Sequence, residues 1–374
     1  MDKEKNTIDR ANVQVGITHG DINGIGYEII MKTFTDQRMF DFCTPVLYGS
    51  SKVASYHRKT LNATNFNFNP IKRIDQANPE RANIINVYDE EARIDLGKCT
   101  DIGGKLSLIS LQAAISDLKQ DRFDALVTAP INKQNIQSED FHFPGHTEYL
   151  AQEFDTSDVL MIMVSDQMRI GVVTGHTPLS DVPGMITQEL IMQKLESMNY
   201  SLKRDFGISK PRIAVMGLNP HASDDGLLGK EEQDVIIPAI NQAFDKGILA
   251  FGPYPADGFF GTLQFRKYDG ILAMYHDQGL VPFKTLSFDN GVNFTAGLPI
   301  VRTSPGHGTG YDIAGKNEAS PASFREAVLL ATEIFKNRIE WDQMHQNPLK
   351  NNIMEKKYNA SEDNSAEDLS PENE

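Results

Sequence analysis

The sequence predicts an α/β protein with a doubly wound, largely parallel sheet. Short apolar runs alternate with amphipathic helical segments along the chain, the pattern that lays helices on both faces of a parallel sheet. Several of those runs end on glycine-bearing turns carrying polar residues, which is where such sheets place reactive groups. At 374 residues the chain is long for one core and suits two domains.

Taken in order, Val13 to Ile17 reads as a buried strand running into the turn Thr18 to Gly26, with Tyr27 to Phe34 helical after it. Strand, glycine turn and helix open a βα unit, but the turn lacks the GxGxxG dinucleotide fingerprint. Tight packing and ligand contact both account for its glycines. Pro45 to Gly49, followed by Ser50 as a helix cap, gives a second strand. Asn62 to Thr100 reads as irregular apart from a short strand at Ile84 to Val87. Gly103 to Gln120 is an amphipathic helix, with Leu106, Ile109, Ala113 and Leu118 sharing a face. It leads into a buried strand over Asp124 to Pro130. Val159 to Val164 and Arg169 to Thr174 read as a strand pair joined through Ser165 to Gln167. Thr187 to Asp205 is a helix, Arg212 to Gly217 a strand, Glu231 to Lys246 a helix, and Ala322 to Lys336 a closing helix. There is no internal repeat and no Pro- or Ser-rich linker.

The formal net charge of −15 argues against a nucleic-acid or anionic-membrane partner, although a few buried cations can still attract a small anion. No run reaches the ~18 apolar residues of a membrane span. The first ten residues are polar and lack a signal-peptide core, which points to the cytoplasm. Two cysteines, Cys43 and Cys99, exclude both a disulfide framework and a CxxC zinc site. The acidic, polar stretch from Asn351 to Glu374 reads as a disordered tail.

The chemistry concentrates between Gly270 and Gly315. There the apolar run Ile271 to Met274 stops at Tyr275-His276-Asp277-Gln278-Gly279, and Lys284, Asn293, Arg302 and His307 follow. Of nine histidines, His57, His142 and His345 have polar surroundings that read as surface, and His19 lies on the first turn. Five others, His146, His176, His221, His276 and His307, sit among Gly, Pro, Asn or Thr, mostly just past an apolar run. His176, His221 and His276 each follow a strand, and parallel strands bring such loops to one edge. Three neutral imidazoles with an open position suit Zn²⁺ or a similar divalent ion; loop-anchoring histidines are the bland alternative. Asp277 and Asp257 are candidates to orient ligands or move protons. Lys284, Asn293 and Arg302, with His146 and Thr147, form a donor set suited to a phosphate or carboxylate.

The motifs GHTEYL, TGHTPLSDV, GLNPHA, PADGFF, AMYHDQGL and GVNFTAGLPIVRTSPGHGT resemble the 4-hydroxythreonine-4-phosphate dehydrogenase family of vitamin B6 biosynthesis, in order from about Val13 to Arg338. The segment HGTGYDIAGKNEASP is similar to the adenosine-binding loop of isocitrate and isopropylmalate dehydrogenases. The resemblance implies their two-domain fold, with the active-site cleft between a cofactor-side domain (1–135 plus 290–345) and a metal and dimerisation domain (136–289), ahead of a tail (346–374). It implies one divalent ion (Zn, Mg or Co) on His176, His221 and His276, the last lent by the partner of a homodimer. His146, Thr147, Lys284, Asn293 and Arg302 would bind substrate, with His307 and Gly308 on NAD. Asp277, Asp257 and Lys284 would be the catalytic group.

The implied reaction oxidises the C3 hydroxyl of 4-phosphohydroxy-L-threonine to a β-keto acid, which decarboxylates to 3-amino-2-oxopropyl phosphate on the way to pyridoxal 5'-phosphate. The opening turn departs from the family's GDPAGIGPE: here Ile22, Asn23 and Tyr27 replace Pro, Ala and Pro, which implies altered loop stiffness. A dehydrogenase of 4-phospho-D-threonate or 4-phospho-D-erythronate shares nearly every feature. A three-histidine zinc hydrolase leaves HGTGYDIAG without a task, and a non-catalytic assembly protein leaves the histidines structural.

Overall fold

A computed structural model describes residues 12–89 and 92–346. The chain order is β1 (Val13–Thr18), α1 (Gly26–Thr35), β2 (Cys43–Gly49), α2 (Ser51–Thr60), β3 (Asn69–Ile71), β4 (Asn83–Asn86), α3 (Asp101–Leu118), β5 (Ala125–Thr128), α4 (His146–Glu153), β6 (Leu160–Val164) and β7 (Arg169–Thr174). It continues with α5 (Val182–Met185), α6 (Gln188–Arg204), β8 (Arg212–Met216), α7 (Ile237–Asp245), β9 (Leu249–Tyr254), α8 (Ala256–Gly261), β10 (Gly270–Tyr275), α9 (His276–Ser287), β11 (Val292–Ala296), β12 (Val301–Pro305) and α10 (Ala322–His345). The tail assigned to 346–374 and the polar first ten residues fall, Gln346 apart, outside the described residues. Among the described residues no helix is long and apolar enough to cross a membrane.

The strands form one twelve-stranded sheet in the order β3-β4-β2-β1-β5-β12-β11-β6-β7-β10-β8-β9. It is mostly parallel, as its alternating strands and helices predict. The exceptions lie at its centre. β11 runs antiparallel to both β12 and β6, and β6 antiparallel to β7. The block from β3 to β12 therefore runs opposite to the block from β7 to β9. The β6–β7 hairpin turns through Ser165 to Gln167, closed by the Ser165 amide donating to Met168 O at 3.0 Å. Four strands were missing from the sequence reading, β3, β11, β12 and β9; in β9, Gly252 and Pro253 look like loop. β9 pairs only with β8 and forms the sheet edge, where a proline's missing donor faces no neighbour.

One face of the sheet is buried without a break. Val15, Ile17, Val127, Phe294, Ile162, Leu272 and Val215 from both blocks pack under α1, α6, α7 and α10 in a single core. The other face is buried twice, separately. Leu126 and Val46 pack with Leu111, Ile115 and Leu150 of α3 and α4. Ile170, Val172 and Ala273 pack with Leu280 and Phe283 of α9 and Phe259 of α8. Between these two cores, over β12, β11, β6 and β7, the face stays open.

Strand alternation decides what this opening sees. Val292, Phe294 and Ala296 of β11 point into the continuous core. Asn293 points the other way, into the opening. The continuous core is also tied by a buried ion pair, with Arg338 Nε donating to Asp205 Oδ1 at 2.7 Å where α10 passes the end of α6.

Candidate active site

The opening is a cleft of about 580 Å³, lined among others by Lys133, His146, Thr147, Glu148, His176, Lys194, His276, Lys284, Asn293, Arg302, His307 and Gly308. Its floor carries Arg302, only 2% exposed. The guanidinium donates to Thr128 Oγ1 through Nε and Nη2 (3.2 and 2.7 Å) and to Thr295 Oγ1 through Nη1 (3.3 Å). Both acceptors are hydroxyls. Burial pulls its pKa down to about 10, while the charge of Glu148 acts the other way, so Arg302 stays cationic at neutral pH. A buried cation without a carboxylate partner costs free energy, and an anion in the cleft would relieve that cost.

The neighbours on the floor have spare valences of their own. His146 Nε2, Asn293 Oδ1 and His307 Nε2 are buried with no hydrogen-bond partner. Burial first, then the charges of Arg302 and Lys133, hold the His146 pKa well below the usual 6.5, so its imidazole is neutral near pH 7. His307 Nδ1 lies 3.0 Å from Gly308 O. A carbonyl only accepts, so Nδ1 carries the proton and the unpartnered Nε2 keeps its lone pair. Burial lowers the His307 pKa as well. Thr147 Oγ1 sits 3.4 Å from Thr295 Oγ1, and Lys284 reaches the cleft from the exposed side of α9.

His176 and His276 meet at the far wall. β7 and β10 are parallel neighbours with Thr174 opposite Tyr275, so the residues just past them converge, and the two rings stand 6.1 Å apart. β10 passes into α9 without a loop, which fixes His276 at the first helical position. Gly279 allows this close seating, since a Cβ there would lie 2.8 Å from Ile170 and 3.1 Å from Ala273. His276 Nδ1 lies 2.7 Å from Asp277 Oδ1, and Asp277, placed in the first turn of α9, also favours the helix N-terminus.

His221 is elsewhere. It is exposed on the turn Pro220–Ser223, in a run of five residues, His221 to Asp225, with φ between 48 and 69°. Among the described residues no three His, Cys, Asp or Glu side chains gather closely enough to hold a metal ion. The donor chemistry of His176 and His276, two neighbouring imidazoles beside carboxylates, suits a divalent ion as a partial set. Within one chain the set stops at two. The resemblance implied that a partner lends His276. Strand pairing puts His276 beside His176 of its own chain, and His221 is the one set apart.

Asp257, in the first turn of α8, is exposed and does not line the cleft. His57 is not a surface residue: it is 2% exposed, on the inner face of α2, with Nε2 2.8 Å from Ile22 O. His19, also buried, has Nδ1 2.7 Å from Gly20 O and Nε2 3.1 Å from Tyr88 OH. It supports the first turn rather than the cleft.

Other cleft residues escaped the sequence reading. Lys133, Glu148 and Lys194 are ordinary charged residues in sequence, though Glu148 lies inside GHTEYL. Asp21 was missed too: its carboxylate accepts from Asn23 N, Asn135 Nδ2 and Tyr311 OH at 2.7–2.8 Å, tying the first turn to the loop that follows His307.

A wound α/β sheet opened by a cleft with a buried unpaired cation, neutral imidazoles and two adjacent histidines defines an enzyme for a small anionic substrate. The family model described as pyridoxal phosphate biosynthetic protein PdxA matches residues 41–331, and the chain belongs to that family. It is 50% identical over 346 residues to a 4-hydroxythreonine-4-phosphate dehydrogenase of Bacteroides thetaiotaomicron, covering 92% of this chain and 95% of the relative. The crystal structure of a 4-hydroxythreonine-4-phosphate dehydrogenase from Klebsiella pneumoniae superposes with a TM-score of 0.76 at 32% identity, covering 87% of this chain and 99% of the other. A Clostridium botulinum protein named as a D-threonate 4-phosphate dehydrogenase is 35% identical over 324 residues, covering 85% of this chain and 96% of the relative.

Proposed function

We propose that the chain is a metal-dependent, NAD-linked dehydrogenase that oxidises the C3 hydroxyl of 4-phosphohydroxy-L-threonine, in the cytoplasm, for pyridoxal 5'-phosphate synthesis. Family membership and the relatives' names support the reaction. The observation that carries the substrate class is Arg302, a buried cation whose partners are all hydroxyls.

In this reading Arg302, Lys284, Asn293, His146 and Thr147 hold the anionic ends, which fixes C3 against the nicotinamide. His307 and Gly308 stand at the cofactor side. The C3–H bond breaks with its electron pair passing to NAD⁺ as hydride, and the hydroxyl proton leaves to a base or to water. The resulting β-keto acid loses CO₂, and the carbon left with the electron pair takes up a proton. His176 and His276 would hold a divalent ion, whose Lewis acidity would favour loss of the hydroxyl proton. Asp277 stays in the reading as partner of His276 and as a candidate for proton transfer.

His221 completes the ligand set from a second copy of the chain. Two observations support this assignment. Its left-handed backbone run is a strained display of the kind found at functional sites. Leu227 and Leu228 just beyond it, and Val281, Leu286 and Phe288 on and after α9, are exposed apolar residues suited to a homodimer face. α8 packs against the His221 turn, so Asp257 would travel with it. The two separate cores flanking the cleft support two lobes, although α4, assigned to 136–289, packs with the lobe of 1–135 and 290–345.

The test is NADH absorbance from purified protein, NAD⁺ and 4-phosphohydroxy-L-threonine, with and without a chelator. Chelator-sensitive NADH formation is expected; none in metal-replete buffer would overturn the proposal. The Clostridium relative's name favours a second reading, oxidation of 4-phospho-D-threonate, and faster turnover of it, or of the related 4-phospho-D-erythronate, in the same assay would select that reading.

A further inference from the structure

Among the described residues, Glu148 is the sole carboxylate lining a cleft that also presents Lys133, Lys194, Lys284 and Arg302. For an anionic substrate a carboxylate here is a liability, since like charges at close range repel. Its position accounts for it. Glu148 lies in the first turn of α4, two residues after His146, and its Oε1 stands 3.7 Å from Nδ1 of His176. On the other side of that ring, Lys133 Nζ lies 3.4 Å from Nε2. An ammonium only donates, so Nε2 bears the lone pair and the proton sits on Nδ1, toward Glu148. His276 is arranged alike, with Nδ1 facing Asp277 Oδ1 at 2.7 Å. Both rings thus turn Nδ1 to a carboxylate, and at His176 the opposite nitrogen, Nε2, faces a cation.

We propose that Glu148 is a positioning residue that fixes the tautomer and orientation of His176 as a metal ligand, as Asp277 does for His276. This rests on the reading of His176 as a ligand. A carboxylate behind a ligating histidine raises its basicity and locks its ring, and losing such a partner weakens metal binding by about 10- to 100-fold. The rival account is that Glu148 only balances the charges of Arg302 and Lys133.

Titration of the intact protein with Co²⁺, free of substrate and NAD, separates the two. Its visible absorption band reports ligand geometry, and isothermal titration with inorganic phosphate reports the anion site. Glu148→Gln should raise the Co²⁺ Kd at least about tenfold and alter the band, with phosphate binding unchanged or tighter. In a His176→Ala background the same substitution should have no further effect on Co²⁺. A Co²⁺ Kd within about twofold of the unsubstituted protein's would overturn the proposal, as would equal effects with and without His176. Should Glu148→Gln fail to fold, Glu148→Asp, which shortens the reach to Nδ1, is read in the same way. Absence of Co²⁺ binding by the unsubstituted protein would instead remove the metal reading itself, and this inference with it.

Discussion

Arg302 concentrates the argument at the scale of one residue. It is buried, charged, and answered only by Thr128 and Thr295. Replacing it with methionine removes a charge-assisted fork that contributes about 3 kcal/mol, so kcat/KM should fall roughly 100-fold, mostly through KM. Arg302→Lys keeps the charge without the fork and should lose about tenfold. The Arg302→Met protein should melt no lower than the parent, because an uncompensated cation has left the interior. Steady-state kinetics and thermal unfolding check both halves. A lower melting point beside an unchanged KM would mark Arg302 as scaffold. The sequence pointed to this residue because a lone arginine after Leu298 to Val301 is unusual. It could not disclose Thr128, a distant hydroxyl on β5.

At the scale of elements, the first turn shows how a local departure is absorbed. Tyr27, in place of the family's proline, lies between His19 and His57 with ring centroids at 5.3 and 4.9 Å. Its hydroxyl accepts from the Ser50 amide at 3.3 Å, so α1 and α2 share a buried aromatic stack. Burial lowers the His19 and His57 pKa values to about 4. The unfolded chain takes up these protons near 6.5, before the folded one does, so the stability from keeping both rings neutral is present above about pH 6.5 and is lost as pH falls toward 4. Each histidine contributes on the order of 3 kcal/mol across that window. Urea unfolding at pH 7.5 and 5 should show the loss, and His57→Gln should reduce it; a pH-independent midpoint would contradict the stack.

The place of His57 was readable in principle. Val53 and His57 are four apart and share the inner face of α2, but Tyr56, Arg58 and Lys59 around it suggested the surface. β10 running into His276 was legible for the opposite reason, since an apolar run ends sharply in charge. β9 was hidden by Gly252 and Pro253, and β11 by Asn293 and Thr295, whose polar side chains face the cleft while Val292, Phe294 and Ala296 face the core.

At the scale of the molecule, the central antiparallel strands reverse the sheet and leave a gap between two cores on one face, and that gap is the cleft. Such reversal does not follow from local periodicity, because a strand's direction depends on which neighbour it pairs with. The same pairing brings His176 and His276 together in one chain and sets His221 apart, and in the proposed reading a second copy supplies that third histidine. Mixing chains tests this most directly. In a heterodimer of His221→Ala and His276→Ala chains, one of the two sites regains all three histidines. Random reassortment of these two variants should therefore restore chelator-sensitive NADH formation to about a quarter of the parental rate. His176→Ala mixed with His276→Ala should restore none, since both losses fall on the same half-site. Recovery in the second mixture and silence in the first, with subunit exchange verified, would contradict the account.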